Sequence, residues 1–192
     1  ETDAEDADVL FEPGGALDTG LRLKDEGVVG AVGFGLRDLS LLRAGIQSGR
    51  IDAVLTYLAF TLLDQTASME LFPTAAAHGV RVINGSPLGM GLLVDDFDQR
   101  KSYLEHMDPD GARRRKLRRW AHEKGLTLQA LALGYSLADK RIAMTLTGSR
   151  SRQDVEEALA CLAAPPPQEL WKELESDLGI PAPWTGLEGR PS

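Results

Sequence analysis

The stretch RVINGSPLGMGLL, residues 81–93, contains the pattern that decides the fold. Its apolar start is typical of a β-strand, and the strand ends in asparagine, glycine, serine and proline, with further glycines at 89 and 91. Glycine allows tight turns and lets another group approach the backbone closely. The residues alone leave two interpretations open: a backbone cradle for a phosphate, or an ordinary glycine-rich loop after a strand.

Helices and strands alternate on both sides of this stretch. Strands are predicted at 28–35, 51–60, 80–85 and 143–148. Helices are predicted at 14–26, 39–49, 65–80, 110–124, 127–138, 151–163 and 168–178, with Pro73 kinking the third one. Each strand is short and apolar on both faces, which is typical of a parallel α/β sheet that is buried on both sides. Periodicity alone fits either a doubly wound sheet or a (βα) barrel.

The length of 192 residues fits one domain or a large piece of one. We expect a single partial domain over residues 1–192, with an acidic lead-in at 1–13, βα units at 14–163, and a C-terminal helix and tail at 164–192. The chain begins with Glu1 rather than methionine, so we expect either a piece of a longer protein or a truncated one. The connection at 86–108 is long for a turn, and such loops are often functional.

The composition excludes several classes of partner. A net charge of -8 argues against nucleic acid and against a membrane surface, both of which need a basic face. The basic run at 113–119 is expected to be the solvated face of a helix. No apolar segment is long enough to span a membrane and no signal peptide is visible, so a cytoplasmic location is expected. Cys161 is predicted to be a buried core thiol, and no metal-ligand spacing is present.

Four motifs occur in an order that carries a family resemblance. They are LKDEGVVGAVGFG at 23–35, LLDQ at 62–65, RVINGSPLGMGLL at 81–93 and TLTGSRSRQDVEEAL at 145–159. Together they resemble the aldo/keto reductases, in the branch of L-galactose dehydrogenase and aldose 1-dehydrogenase. The resemblance implies an α/β fold that is the C-terminal half of a (β/α)8 TIM barrel, strands five to eight with their helices. These strands would be Val28–Gly35, Ile51–Phe60, Arg81–Gly85 and Ala143–Thr147.

The resemblance also implies a site for NADP or NAD after the last two strands. The implied cofactor-binding residues are Ser86, Pro87, Leu88, Gly89, Gly91, Gly148, Ser149, Arg150, Arg152 and Glu157. The glycines have no side chains that would obstruct the diphosphate. Arg150 or Arg152 could pair with a 2′-phosphate, which slightly favours NADP over NAD. The alternative is that both arginines are solvated surface residues. Ala158 stands where the family has an asparagine.

The family's proton-transfer residues are an aspartate, a tyrosine, a lysine and a histidine that lie on strands two to four. That half is absent from this sequence, so the catalytic residues stay unknown. Gly35 and Leu36 replace the usual Ser-Asn pair, Gly85 replaces the aromatic residue that stacks on nicotinamide, and Tyr57 lies where the family often has a glutamine. Tyr135, in an apolar helix, is predicted to be a packing residue.

Substrate or lid contacts are expected from the loop at 94–108. The side chains that suggest this role are Asp95, Asp96, Phe97 and Tyr103. The resemblance implies a small carbonyl or polyol as the substrate, but it does not name the molecule.

Two functions follow as expectations. The first is an NAD(P)-dependent oxidoreductase of aldo/keto reductase type, with this chain supplying the dinucleotide-binding half. The second is a truncated homologue without redox activity, which binds a ligand or partner or performs a non-redox step such as a cyclisation. An isolated half barrel has open edges and an uncovered apolar face, so we expect self-association or pairing with a missing N-terminal half.

Overall fold

The computed structural model describes residues 10–96, 108 and 111–186, and it shows an α/β fold built on a parallel sheet. The strands lie in the order β1-β2-β3-β4 and each pairs in parallel with its neighbour. They are β1 (Gly33–Leu36), β2 (Ala53–Tyr57), β3 (Arg81–Gly85) and β4 (Ile142–Leu146). The helices are α1 (Ala16–Asp25), α2 (Leu39–Gln47), α3 (Thr66–Glu70), α4 (Phe72–His78), α5 (Ala112–Glu123), α6 (Leu128–Ala138), α7 (Arg152–Ala163) and α8 (Glu169–Leu178).

The predicted order of elements is confirmed, but the first strand begins later than predicted. Gly27 has a φ of +72° and ends α1, and the N–H groups of Val28 and Val29 both donate to the Leu23 carbonyl. The apolar residues at 28–29 therefore belong to a turn, where Val28 is 66% exposed. The strand starts at Gly33, where a side chain would lie 2.2 Å from the Ala53 carbonyl oxygen. Glycine is required there because the two backbones meet so closely.

Proline divides the predicted third helix, as expected. Its two parts are α3 and α4, and Pro73 lies in the first turn of α4, where its missing N–H breaks no helical hydrogen bond. The second predicted strand is shorter than 51–60, because Leu58 takes a left-handed φ of 63° directly after β2. The third strand is observed with the predicted bounds of Arg81–Gly85.

The core lies between the sheet and the helices on one side. Val54 and Val82 point into it from the two central strands, and each is 1% exposed. Tyr135 of α6 stacks on Phe60 with ring centroids 5.1 Å apart, and it meets Trp171 of α8 edge-on. Its hydroxyl donates to a backbone carbonyl at 2.7 Å, and burial raises the pKa of the phenol. The prediction of a packing tyrosine is confirmed.

The opposite face of the sheet lacks a cover within the described residues. Leu55, Ile83 and Met144 share one register row on this face. Met144 is 54% exposed, and Leu146 beyond it is 41% exposed. The expectation that every strand is buried on both faces is therefore wrong for β4. The open face results from the order of the elements, since the described helices pack on the other side or at the ends of the strands.

Burial also settles the prediction for the basic run. The basic run lies on α5, where Leu117 and Trp120 face the core while Arg113, Lys116 and Arg119 are exposed. It is a solvated helix face, as predicted. In the described part of the chain, the longest helices are too short and too polar to cross a membrane.

Candidate functional site

A large cleft opens where β3 and β4 end. One wall is the segment 86–96 that follows β3, and the other is the segment 147–164 that follows β4 and includes most of α7. The start of α6 closes the cleft between them. Its volume is about 1340 Å³, larger than the roughly 300–1,000 Å³ that is common for sites of drug-sized ligands. The carboxyl ends of parallel strands are where such folds place their ligands.

The wall after β3 is a tight turn with an unusual backbone. Ser86 and Met90 have φ values of 58° and 56°, and Gly91 has a φ of +97°. A left-handed conformation outside glycine costs on the order of 1–3 kcal/mol and is concentrated at functional sites. The strain therefore fits a segment that is shaped for a ligand rather than for stability.

The glycines of this turn shape the wall and leave space beside it. The N–H groups of Gly89 and Gly91 donate within the turn, to the carbonyls of Ser86 and Leu88. These two N–H groups are therefore not available to an anion, which would instead contact another donor of the turn, such as the Ser86 hydroxyl. No atom lies within 4 Å of the point where a side chain of Gly91 would begin, so a ligand could approach the backbone there. Pro87 and Leu88 line the same wall.

Gly85 has a different role from the glycines that follow it. It is buried within β3 and is not among the residues that line the cleft. A side chain there would meet Leu55 and the Thr56 carbonyl at 3.2 Å, and the ring of Tyr57 lies 3.5 Å away. The Tyr57 hydroxyl lies 2.6 Å from the Met90 sulfur. Tyr57 lines a separate cavity of about 160 Å³ at the end of β2.

The wall after β4 begins with Gly148 and Ser149 and continues into the first turn of α7. Ser151 caps this helix, since its hydroxyl accepts the N–H of Asp154 at 3.1 Å. The Asp154 carboxylate in turn accepts the N–H of Arg150 at 2.8 Å. This hydrogen bond is the main cause that holds the pKa of Asp154 below its ordinary value of 3.8.

The two arginines lie in different surroundings. Arg150 lines the cleft, and its Nε lies 3.6 Å from the Asp154 carboxylate. Arg152 is outside the lining, its side chain is 91% exposed, and it pairs with Glu156 at 2.7 Å. Of the two predicted phosphate ligands, the structure therefore brings only Arg150 to the cleft.

Glu157 lies in the cleft and is held by two glutamines that the sequence analysis did not single out. Gln129 of α6 donates to one carboxylate oxygen at 2.5 Å, and Gln153 donates to the other at 2.8 Å. Gln153 stands four residues before Glu157, so helical spacing could have indicated this pair. The contact with Gln129 joins residues 28 positions apart and has no local signal. Ala158 lines the cleft beside them.

The far end of the cleft holds Cys161 and Asp95. Cys161 is 8% exposed, so the thiol is buried as predicted, but it lines the cleft instead of belonging to the hydrophobic core; burial raises its pKa. Asp95 accepts hydrogen bonds from His122 at 3.0 Å and from the backbone of Leu128 at 3.4 Å. Asp95 and Asp96 line the cleft, and their contact with a substrate stays a prediction, whereas the other two predicted contacts, Phe97 and Tyr103, lie outside the described residues.

The charged residues of the lining are mostly acidic. Arg150 is the one cation among the described lining residues, which also include Asp95, Asp96, Asp154 and Glu157. The same lining residues contain no tyrosine, histidine or lysine. Over the part of the chain that the structure describes, no group of three or more metal-ligating side chains could hold a metal ion.

A parallel α/β sheet with its cleft at the carboxyl ends of the strands defines the general class of this protein. Residues 17–177 match the model of the Aldo/keto reductase family, and the chain belongs to this family. Its sequence is 34% identical to L-galactose dehydrogenase of Arabidopsis thaliana over 148 residues, which cover 73% of this chain and 44% of the relative. It is 26% identical to D-threo-aldose 1-dehydrogenase of Pseudomonas sp over 84% of this chain and 50% of that protein.

Solved structures give the same family fold. The structure of an aldo-keto reductase from Bacillus halodurans in its holo form matches 93% of this chain and 59% of its own, with a TM-score of 0.68 and 22% identity. The chain thus spans about half the length of the sequence relatives that it matches.

Proposed function

We propose that this chain is the dinucleotide-binding half of an NAD(P)-dependent oxidoreductase of aldo/keto reductase type. The observation that carries the proposal is the large cleft between the turn after β3 and the start of α7, which are the two segments predicted for the cofactor. Members of this family are generally NAD(P)-dependent oxidoreductases, and the four relatives are named as dehydrogenases or reductases.

The residues of the cleft fit an extended ligand with a diphosphate in its middle. Gly91 and Gly148 leave open space on the two facing walls, and the Ser86 hydroxyl and the Arg150 guanidinium are available to an anion. Glu157 would face the adenine end, because adenine carries an amino group that donates to a carboxylate. NADP or NAD, when bound, would supply or accept the hydride. This chain binds and orients the dinucleotide.

The described lining of the cleft lacks the tyrosine, lysine and histidine that the family resemblance implies for proton transfer. A general acid or base must lie within hydrogen-bond reach of the reacting oxygen, and the ionisable side chains of the described lining are four carboxylates, one arginine and Cys161. We therefore propose that the proton-transfer residues belong to strands two to four of a barrel, of which this chain forms strands five to eight. The substrate would be a small carbonyl compound or polyol.

The uncovered surfaces of the sheet support a missing half. Met144 and Leu146 expose apolar atoms on the open face of β4. Helix α7 adds an exposed apolar stripe, in which Val155, Leu159 and Leu162 are 45%, 57% and 55% exposed. Patches of this kind are covered in stable proteins. An N-terminal half would cover them and close the barrel; self-association of this chain is the other way to do so. A cytoplasmic location stays a prediction.

The second candidate is a truncated homologue without redox activity. The absence of tyrosine, histidine and lysine from the described cleft lining favours it, because such a cleft could bind a ligand without transferring a proton. It would serve ligand or partner binding, or a non-redox step such as a cyclisation. The two candidates predict different redox activity. The first oxidises NADH or NADPH in the presence of a suitable small carbonyl compound, and the second oxidises neither nucleotide with any carbonyl compound.

Fluorescence titration of NADH and NADPH into the intact protein that carries this sequence tests the proposal. Gly148 and Gly30 are matched positions, since neither has a positive φ and neither has an atom within 4 Å of an added side chain. Gly148→Leu fills the cleft and is expected to weaken binding strongly, whereas Gly30→Leu lies elsewhere and is expected to leave binding unchanged. Failure of the parent protein to bind either nucleotide would contradict the proposed function.

A further inference from the structure

We infer that the side chains of Asn84, Ser136 and Thr145 fix the spacing between the two walls of the cleft, and that they are positioning residues for its ligand. The inference rests on the proposed function, because it concerns the same cleft. Asn84 Nδ2 donates to Ser136 Oγ at 2.8 Å, and the Ser136 and Thr145 hydroxyls share a hydrogen bond of 2.8 Å. These three residues are called the Asn84–Ser136–Thr145 network below.

The network joins the three elements that surround the cleft. Asn84 belongs to β3 and lies two residues before Ser86, where the first wall begins. Thr145 belongs to β4 and lies two residues before Thr147, where the second wall begins. Ser136 belongs to α6, whose N-terminal half lines the cleft between the walls. The network itself lies outside the lining, so it can act on a ligand only through the position of the walls.

The network holds β4 directly after an irregularity in its pairing. Ala143 is an extra residue of β4, because its two neighbours pair with consecutive residues of β3. A shift of one residue turns every following side chain to the opposite face of the sheet. The observed register pairs Thr145 with Asn84 and places the Thr145 hydroxyl beside Ser136. These hydrogen bonds therefore favour the one register that leads into the second wall as observed.

The surroundings of Asn84 fit a role in positioning better than a role in stability alone. Its side chain is 0% exposed, and Nδ2 also donates to the Phe60 carbonyl at 3.0 Å. Within the described residues, its Oδ1 has no hydrogen-bond partner. A buried amide oxygen without a partner costs stability, and an apolar side chain would avoid this cost. What an apolar side chain cannot supply is a directional hydrogen bond that holds the two strands and the helix in one arrangement.

Thr145→Val tests the inference, because it removes the hydroxyl and nearly keeps the volume of the side chain. In titrations of NADH and NADPH into the intact protein, we expect it to weaken binding about fivefold, the factor that the loss of one typical hydrogen bond produces. Thr145→Ser keeps the hydroxyl and is expected to bind as the parent protein does. Unchanged binding by Thr145→Val would overturn the inference.

Ser136→Ala and Tyr135→Phe separate positioning from stability. Each removes one buried hydroxyl from α6, and the two positions are adjacent, but the Tyr135 hydroxyl donates to the Pro181 carbonyl at 2.7 Å and not to a strand that carries a wall. Both variants are expected to melt at a lower temperature than the parent protein. Only Ser136→Ala is expected to bind the nucleotide more weakly, again by about fivefold.

The outcomes distinguish this inference from the proposed function. Equal losses of affinity in Ser136→Ala and Tyr135→Phe would show that binding follows stability, and would overturn the inference while leaving the proposed function intact. Failure of the parent protein to bind either nucleotide would overturn both.

Discussion

The Asp154 carboxylate and the Arg150 backbone N–H form a hydrogen bond of 2.8 Å across the first turn of α7. The two residues belong to the same wall of the cleft, so this bond fixes a negative charge on that wall. The bond also keeps the pKa of Asp154 below 3.8, and the side chain is therefore ionised throughout the pH range in which the protein would be assayed.

Cys161 provides a chemical probe of the cleft. Its thiol is 8% exposed and burial raises its pKa, so we expect slow alkylation by a maleimide at pH 7. Because the residue lines the cleft, saturating dinucleotide is expected to slow the reaction further. Mass spectrometry of the alkylated protein gives both rates. Equal rates with and without bound nucleotide would place the ligand away from this end of the cleft.

The Asp139–Arg141 pair is expected to be important for stability rather than for binding. Asp139 is 1% exposed and accepts three hydrogen bonds from Arg141 and one from the backbone of Trp184. Arg141 also binds Ser68. Arg141→Met leaves a buried carboxylate without its cation, which costs roughly 3–5 kcal/mol of unfolding free energy. Urea unfolding measures the loss.

Arg43→Met is the control for this prediction, because Arg43 is exposed on α2. A surface substitution of this kind is expected to change stability by no more than about 0.5 kcal/mol. A loss of similar size in both variants would show that the buried pair has no special role.

The ion pair between Lys24 and Asp52 is expected to make stability depend on pH. Lys24 donates to both carboxylate oxygens at 2.6 Å, and this contact, followed by a hydrogen bond from the Val32 N–H, lowers the pKa of Asp52. A carboxyl group whose pKa is lowered on folding contributes stability above its unfolded value of about 3.9. That contribution is lost as the pH falls through the lower, folded pKa.

Thermal unfolding between pH 6 and pH 3 measures this effect. The melting temperature of Asp52→Asn is expected to fall less steeply with acid than that of the parent protein. Asp25→Asn, at an exposed position of α1, is expected to behave like the parent. Parallel curves for parent and Asp52→Asn would contradict the assignment.

Local patterns predicted the elements best where one residue decides the backbone. The strand that the pattern predicts at 80–85 is observed at Arg81–Gly85, and the helix break at Pro73 follows from the missing N–H of proline. The predicted start of the first strand was wrong because Val28 and Val29, although apolar, complete a turn after Gly27. An apolar run does not distinguish a strand from such a turn.

The segments that form the cleft were predictable from the sequence, but the charges along it were not. Both walls of the cleft were indicated by glycines and a helix start. Ser151 and Asp154 also form a capping pattern that is visible in the sequence. The contact between Gln129 and Glu157 depends on how α6 packs beside α7, which no local pattern contains.

Hydrogen–deuterium exchange of the intact protein with and without saturating NADH tests the central claim most directly. The account predicts slower exchange in residues 86–93 and 148–157, which form the two walls, and unchanged exchange in α8, which lies outside the cleft lining. Unchanged exchange in both walls at a nucleotide concentration that saturates binding would contradict the account.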